Sequence, residues 1–159
     1  MHPSTSRSIM INWAAQIFSQ AQEACAAVFP GTHVFLAYAY GSRVEGNPHP
    51  ESDLDIGYYL DAEISQPLRM AEEMVLADRL SRLADVEIDL RNLGEAPLEW
   101  RARVLERGTL LYCSDEPARV SLEVRLLTRW FDERPRLERI HAERLAQFAA
   151  TGLSAAPCP

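Results

Sequence analysis

Two short stretches of this 159-residue chain carry side chains that could do chemistry together. Gly41-Ser42 closes an apolar stretch, and Asp53-Leu54-Asp55 opens the next one after a ten-residue spacer. Side chains alternate along a strand, so Asp53 and Asp55 project from the same face with their Cα atoms about 7 Å apart. Two carboxylates at that spacing repel each other unless a cation shares the site. Mg²⁺ is the expected cation because it prefers hard oxygen ligands. Two such ions, about 4 Å apart, could clamp the attacking and leaving oxygens of a phosphoryl displacement.

A third carboxylate is needed on a neighbouring strand and on the same sheet face. Asp89 meets this requirement because it lies on the polar side of an alternating stretch in which Ile88 and Leu90 are apolar. We expect it to complete the metal site and to accept the proton of an attacking hydroxyl. Glu87 shares the polar side and is the alternative if the register is displaced by two residues.

The turn after the first strand has its own chemistry. A strand that ends in Gly-Ser presents unpaired backbone N–H groups, which favour the phosphates of a bound nucleotide. Gly41 allows close approach of the backbone, Ser42 supplies a hydroxyl, and Arg43 is the nearest permanent cation. We therefore expect these three residues to bind the phosphates.

The elements that must position these residues follow from the hydrophobic pattern. Helical spacing predicts helices over residues 8–28, from 68 to 83 and over 97–107. Alternation and short apolar runs predict strands over residues 34–40, 53–60, 86–91 and 109–113. The expected fold class is α/β (α+β), a short mixed sheet flanked by helices, with a helical extension at the C-terminus.

The last third of the chain is predicted to be helical. Val120, Val124, Leu127 and Phe131 form one stripe, which we expect to be core or helix packing. Pro135 is expected to break the helix, and a final helix follows it. The predicted organisation is a domain over 1–114, helices of the same domain over 115–150 and a loose tail over 151–159. The arginines of this part are expected on a solvated face, with a partner surface as the alternative, and His49 and His141 are expected to be surface residues.

Composition excludes several classes of protein. With 47% hydrophobic and 25% charged residues, the chain fits one compact domain, and its net charge of −7 argues against direct binding of nucleic acid or an anionic membrane. All 16 basic residues are arginine, so a Walker-A loop, a kinase lysine and a Schiff base are excluded. The three cysteines lack CxxC spacing, which indicates neither a disulfide framework nor a zinc site. No apolar run reaches membrane-spanning length, and we expect a cytoplasmic location.

The pattern as a whole resembles a known family. Gly41-Ser42, the spacer, Asp53-Leu54-Asp55 and the later Asp89 are similar to the signature of the nucleotidyltransferase superfamily that includes DNA polymerase beta. The match is strongest to its minimal members, the antitoxin adenylyltransferases encoded beside HEPN ribonuclease toxins. Ala96-Pro97, the stretch 104–112 and the arginine-rich tail also resemble the layout of that group, so the resemblance covers roughly residues 33–148.

The resemblance implies a function and assigns residues to it. Asp53, Asp55 and Asp89 would bind magnesium, and Gly41 and Ser42 would hold the phosphates of ATP. Antitoxins of this kind transfer AMP from ATP to a tyrosine of the HEPN-type RNase toxin, which silences the toxin. Two alternatives stay open: an enzyme with a small-molecule acceptor such as an aminoglycoside, and an antitoxin that neutralises by binding alone.

Overall fold

The computed structural model describes residues 4–44, 52–61 and 68–151, with side chains from residue 15 to residue 150 of these ranges. The spacer residues 45–51, which include His49, lie outside the described residues, as does the predicted tail beyond Thr151. No helix within the described part of the chain is both long enough and apolar enough to cross a membrane.

The described residues form four strands and four α-helices. In chain order these are α1 (Ser4–Val28), β1 (Val34–Tyr40), β2 (Leu54–Leu60), α2 (Met70–Ala84), β3 (Ile88–Asn92), α3 (Leu98–Arg107), β4 (Thr109–Cys113) and α4 (Glu116–Thr151), with a short 3-10 turn over Leu93–Glu95 before α3. Every predicted strand is present within two residues of its expected bounds, because apolar runs of this length between turn residues have few other ways to be buried.

The strands form one mixed sheet in the order β3-β2-β1-β4. β1 is antiparallel to both of its neighbours, whereas β2 and β3 run parallel and are joined by the crossover helix α2. A parallel pair needs a connection of this kind, since a tight turn cannot bring the chain back to the start of the sheet. This arrangement confirms the expected fold class.

The two sides of the sheet contribute to two separate cores, with residues of β2 and β3 alternating between the sides and with register shifts in the pairing of β1 with β2 and with β4. One core lies between the sheet and helices α1 and α2, and it contains Leu54, Ile56 and Leu90 from the strands together with Ala21 and Leu80 from the helices. The second core lies between the opposite side of the sheet and helices α3 and α4; its members include Leu36, Tyr38, Tyr59, Leu93, Val104, Leu122 and Leu126. The two aspartates of the parallel strands therefore belong to the side that faces α3 and α4.

The predicted break at Pro135 is wrong, because α4 continues through the proline to Thr151. Pro135 is exposed, so the backbone carbonyl that loses its amide partner lies on the solvent side of the helix, where water can satisfy it. Two ion pairs, Arg129–Glu133 at 2.7 Å and Arg134–Glu138 at 2.7 Å, span the turns around the proline and support the helix there.

The predicted burial of the α4 stripe is also wrong. Val120, Val124 and Phe131 are exposed to 45%, 60% and 57%, whereas Leu122 and Leu126 are buried. Leu122 and Leu126 pack against the sheet in the second core, and the Tyr38 hydroxyl donates to Glu123 between them. With this side of α4 facing the sheet, Val120, Val124 and Phe131 turn outward and Leu127 is half-buried.

Candidate functional site

The parallel pairing of β2 with β3 brings two of the predicted site residues together. Asp55 and Asp89 are direct partners in the ladder, and the pairing begins where Leu54 N–H donates to the Glu87 carbonyl at 2.8 Å. Neighbouring strands lie about 4.8 Å apart, so both carboxylates stand side by side on one sheet face. Glu87 is exposed and precedes the ladder, which makes Asp89 rather than Glu87 the neighbour of Asp55.

Asp53 lies immediately before β2 rather than inside it, and its side chain is exposed. It is still close enough to act on its neighbour electrostatically. The pKa of Asp55 is raised by desolvation, then by the negative charge of Asp89, and then by that of Asp53. We call Asp53, Asp55 and Asp89 the acidic edge.

The acidic edge is open rather than a closed cage. Within the described ranges, no group of three His, Cys, Asp or Glu side chains is gathered tightly enough to hold a metal ion as it stands. One reason is visible at Asp89, whose carboxylate accepts from Arg91 through Nη2 at 2.8 Å and Nε at 3.0 Å. The pair is only partly buried, with 57% of the Arg91 side chain and 38% of the Asp89 side chain exposed. A pair of this exposure contributes little to stability and exchanges partners readily.

The donor set nevertheless fits a divalent cation. Carboxylate oxygens are the ligands that Mg²⁺ prefers, and partial burial together with the charges of Asp89 and Asp53 raises the pKa of Asp55. A cation at the acidic edge would relieve that repulsion. Asp55 is the natural first ligand, while Asp89 must exchange its guanidinium partner to become the second.

The turn after β1 is shaped around Asp55. Gly41 has a φ of +82°, a conformation that favours glycine, and a Cβ placed on it would lie 2.2 Å from Asp55 Oδ2. The turn closes with Val44 N–H donating to the Gly41 carbonyl at 3.1 Å. Ser42 is exposed on this turn. The backbone of the turn thus lies directly against the Asp55 carboxylate, a contact that the sequence motif did not predict.

Arg43 was expected to face phosphate, but the structure buries it. The side chain is 6% exposed, and its guanidinium donates from Nε to the Ser52 carbonyl at 2.6 Å, with Nη2 donating to the same oxygen. Burial lowers the pKa of Arg43, and the negative charge of nearby Asp53 opposes that shift. The residue therefore ties the turn to the start of the acidic strand.

Two further polar residues at this site were not singled out from the sequence. Tyr40 is the cross-strand partner of Asp55 on β1. Burial raises the pKa of its phenol to about 12, and the charges of Asp55 and Asp89 add to the shift, so the hydroxyl stays protonated as a possible donor. Arg91 is two residues beyond Asp89 on the same strand face. The alternation of polar and apolar residues in β3 places Arg91 beside Asp89 and could have identified it from the sequence. Tyr40 could be found only from the register of β1 against β2.

A cavity of about 260 Å³ opens beside the turn. Its lining comes from β1, the turn, and one face of α3: Tyr40, Gly41, Val44, Trp100, Arg103, Val104, Arg107 and Gly108. The Tyr40 and Trp100 rings meet edge to face, with centroids 5.8 Å apart and planes at 77°. Gly108 lets α3 approach β1 closely, because a Cβ there would lie 2.4 Å from the Val104 carbonyl oxygen and 2.9 Å from that of Ala39.

A mixed sheet that carries paired carboxylates on its parallel strands, next to a glycine turn and a cavity, defines a nucleotidyltransferase fold. The sequence model of the family described as "Polymerase beta, Nucleotidyltransferase" matches residues 23–117. This range is more than half of the chain, and the protein belongs to that family. The finding confirms the resemblance seen in the sequence and supports a transferase activity.

Solved structures with the same fold include several toxin–antitoxin complexes. One, a toxin–antitoxin crystallised with AMP-PNP, is 19% identical with a TM-score of 0.63 and covers 78% of this chain and 98% of that one. Another is the tri-AMPylated HEPN toxin of Shewanella oneidensis in complex with MNT antitoxin, at 16% identity and a TM-score of 0.61, covering 80% and 98% of the two chains. The MntA–HepT toxin–antitoxin has a TM-score of 0.59 at 16% identity and covers 79% of this chain and 97% of that one. No curated protein sequence matches the chain.

Proposed function

We propose that this protein is an antitoxin adenylyltransferase, which transfers AMP from ATP to a tyrosine of a HEPN-type RNase toxin in a Mg²⁺-dependent reaction. The observation that carries the proposal is the register of Asp55 against Asp89, directly beside the Gly41 turn. The solved complexes of similar fold support the choice of a toxin as acceptor, since one of them contains an AMPylated HEPN toxin.

Different residues of the chain have different roles in the proposed reaction. Asp53, Asp55 and Asp89 would hold Mg²⁺, as one ion or two, and the bound metal would supply positive charge to the reacting phosphate. The backbone of Gly41 and the Ser42 hydroxyl hold the phosphates of ATP, while Arg43 acts indirectly by fixing the turn against Ser52.

The bonds exchanged are those of a nucleotidyl transfer. The tyrosine oxygen of the toxin forms a bond to the α-phosphorus of ATP, the bond from that phosphorus to the β-phosphate oxygen breaks, and pyrophosphate leaves. Asp89 accepts the phenolic proton, a role that requires its ion pair with Arg91 to open. The Tyr40 hydroxyl remains protonated next to the carboxylates and can donate to an oxygen at the site.

The place of the reaction follows from its chemistry. ATP and a HEPN toxin meet in the cytoplasm, and the free thiols of Cys25 and Cys113 are compatible with a reducing compartment. We therefore propose that the protein acts in the cytoplasm.

The test uses the protein encoded by the neighbouring reading frame as the acceptor. The two proteins are incubated with ATP and Mg²⁺, and the intact mass of the acceptor is measured for added adenylyl groups. The wild-type protein is expected to modify a tyrosine, whereas Asp55→Asn and Asp89→Asn should each reduce the rate by about 100-fold or more, since several kcal/mol of charge stabilisation are lost. The matched control is Asp61→Asn, at the far end of β2, which should retain the wild-type rate.

The same variants separate the proposal from its alternatives. A toxin that is neutralised equally well by Asp53→Asn/Asp55→Asn and by the wild-type protein, with no added mass, would mean that binding alone suffices. Adenylylation of an aminoglycoside in place of the protein acceptor would identify a small-molecule transferase. Glu87→Gln should behave as the wild type, and a loss equal to that of Asp89→Asn would show that the register is displaced.

A further inference from the structure

The cavity beside the Gly41 turn has a chemistry different from that of the acidic edge. Its floor and walls are aromatic and aliphatic, formed by Tyr40, Val44, Trp100 and Val104. Arg103 and Arg107 also line it, and both are exposed. Residues 100, 103, 104 and 107 share one face of α3, because side chains three and four apart on a helix are neighbours. One helix face therefore supplies both an indole and two positive charges.

We propose that this cavity binds the heterocyclic base of the nucleotide, with the Trp100 indole as the surface on which the base stacks. The proposal rests on the proposed function, because it concerns the nucleotide used at the acidic edge. The residues of the acidic edge and of the Gly41 turn have expected roles only toward metal and phosphate. The cavity, formed by α3 and the turn, adds a site that distinguishes one base from another.

The size of the cavity fits one part of a ligand. Sites that enclose a whole small molecule usually measure roughly 300 to 1,000 Å³. At about 260 Å³, the cavity is suited to a single ring system rather than to a complete nucleoside triphosphate. The phosphates would then lie outside it, which is where the turn and the acidic edge are.

The position of Tyr40 connects the cavity with the acidic edge. Its ring is part of the cavity wall and contacts Trp100 edge to face at 5.8 Å, which fixes the orientation of the indole. The same residue is the cross-strand partner of Asp55, and such partners have Cα atoms about 4.5 to 5.5 Å apart. A base in the cavity would therefore leave its phosphates within reach of Gly41 and the carboxylates.

The walls predict the selectivity of the site. Aromatic and aliphatic groups distinguish bases by ring area rather than by a hydrogen-bonding pattern, as in other stacking sites. Purine nucleotides should bind more tightly than pyrimidine nucleotides, and ATP and GTP should differ by only a few-fold.

The experiment compares ATP with inorganic tripolyphosphate, which carries the charge of the phosphates and no base. Binding of each to the wild-type protein, Trp100→Leu, Trp100→Phe and Trp130→Leu is measured by titration calorimetry with Mg²⁺. Loss of stacking is expected to weaken ATP binding to Trp100→Leu by roughly 5- to 100-fold, with no change for tripolyphosphate. Trp100→Phe should recover most of the affinity, and Trp130→Leu is the matched control because Trp130 lines a different groove, between α3 and α4.

A second measurement keeps the test decisive if Trp100→Leu fails to fold. With Trp13→Phe and Trp130→Phe in place, the native Trp100 is the remaining indole. ATP and GTP should change its fluorescence and tripolyphosphate should not. The base site is overturned if the wild-type protein binds ATP and Trp100→Leu binds it with unchanged affinity. It is also overturned if ATP binds without changing the fluorescence of Trp100. Either result leaves the proposed function intact. A wild-type protein that binds neither ATP nor tripolyphosphate contradicts the proposed function itself.

Discussion

The two faces of the sheet are completed in different ways, although the same strands build both. The face against α1 and α2, here the closed face, is covered by apolar side chains such as Leu54, Ile56 and Leu80. The opposite face, here the open face, is covered by α3 and α4 over β1 and β4, and it leaves Asp55 and Asp89 partly exposed. Along β2, buried apolar residues of the closed face alternate with residues that face the proposed site. Substitutions on the two faces should therefore separate folding from activity.

The largest expected effect belongs to the closed face. Leu80 on α2 is fully buried, and Leu80→Ala should lower the free energy of unfolding by about 2 to 5 kcal/mol through lost burial and the cavity left behind. Urea denaturation measures the loss. Leu83→Ala is the matched control, because that side chain lies on the same helix and is 57% exposed, so the change should stay within about 0.5 kcal/mol. Equal losses for the two variants would contradict the packing of α2.

The next effect tests the turn on the open face. Gly41→Ala must place a Cβ at a φ of +82° and displace the Asp55 carboxylate, so it should cost about 1 to 3 kcal/mol of stability and reduce the transfer rate. Gly31 has nearly the same φ, +80°, with no atom within 4 Å of an added Cβ. Gly31→Ala should therefore share the backbone cost and keep full activity. Equal losses of activity in Gly41→Ala and Gly31→Ala would contradict a specific role of the Gly41 turn beside Asp55.

A third effect concerns the carboxylate repulsion on the open face. Desolvation, and then the charges of Asp89 and Asp53, hold the folded pKa of Asp55 above its unfolded value of about 3.9. Without divalent cation, stability should therefore fall as the pH rises from there through the folded pKa, and then stay low. Asp55→Asn removes this loss. Thermal unfolding in a chelator should show the variant more stable than the wild type at neutral pH and equal to it below the unfolded pKa. A less stable variant at neutral pH would contradict the repulsion.

The smallest effect on stability is expected at the Arg91–Asp89 pair. The pair is largely exposed, so Arg91→Gln should change the free energy of unfolding by less than about 1 kcal/mol. Because the guanidinium and the proposed cation would compete for Asp89, the variant should bind Mn²⁺ more tightly than the wild type in a titration followed by electron paramagnetic resonance. Arg82→Gln, which removes an exposed pair with Asp78 on α2, should leave Mn²⁺ binding unchanged.

On the open face, the acidic residues could be predicted from the sequence, whereas the aromatic residues beside them could not. Strand alternation was sufficient to place Asp55 and Asp89 on one side of the sheet. Each aspartate has apolar neighbours in sequence, and once these neighbours face one core, the period of two turns both aspartates to the opposite side. Tyr40 and Trp100 reach the site through pairing and packing between distant segments, and no local pattern encodes either contact. The same limit explains the error in α4, whose sequence offers two apolar faces. The buried face carries Leu122 and Leu126, and it packs against residues such as Tyr38, whose contact with Glu123 joins positions 85 residues apart.

The contact between Arg43 and the Ser52 carbonyl has a consequence for how such chains can diverge. The guanidinium ties the residue after the Gly-Ser motif directly to the residue before Asp53, so this contact fixes the two ends of the spacer relative to each other. Lengthening a segment whose ends are already fixed has a small entropic cost. Insertions and deletions between residues 44 and 52 should thus be tolerated among homologues, while an Arg43 replacement should not, even by lysine, which cannot reproduce the planar fork.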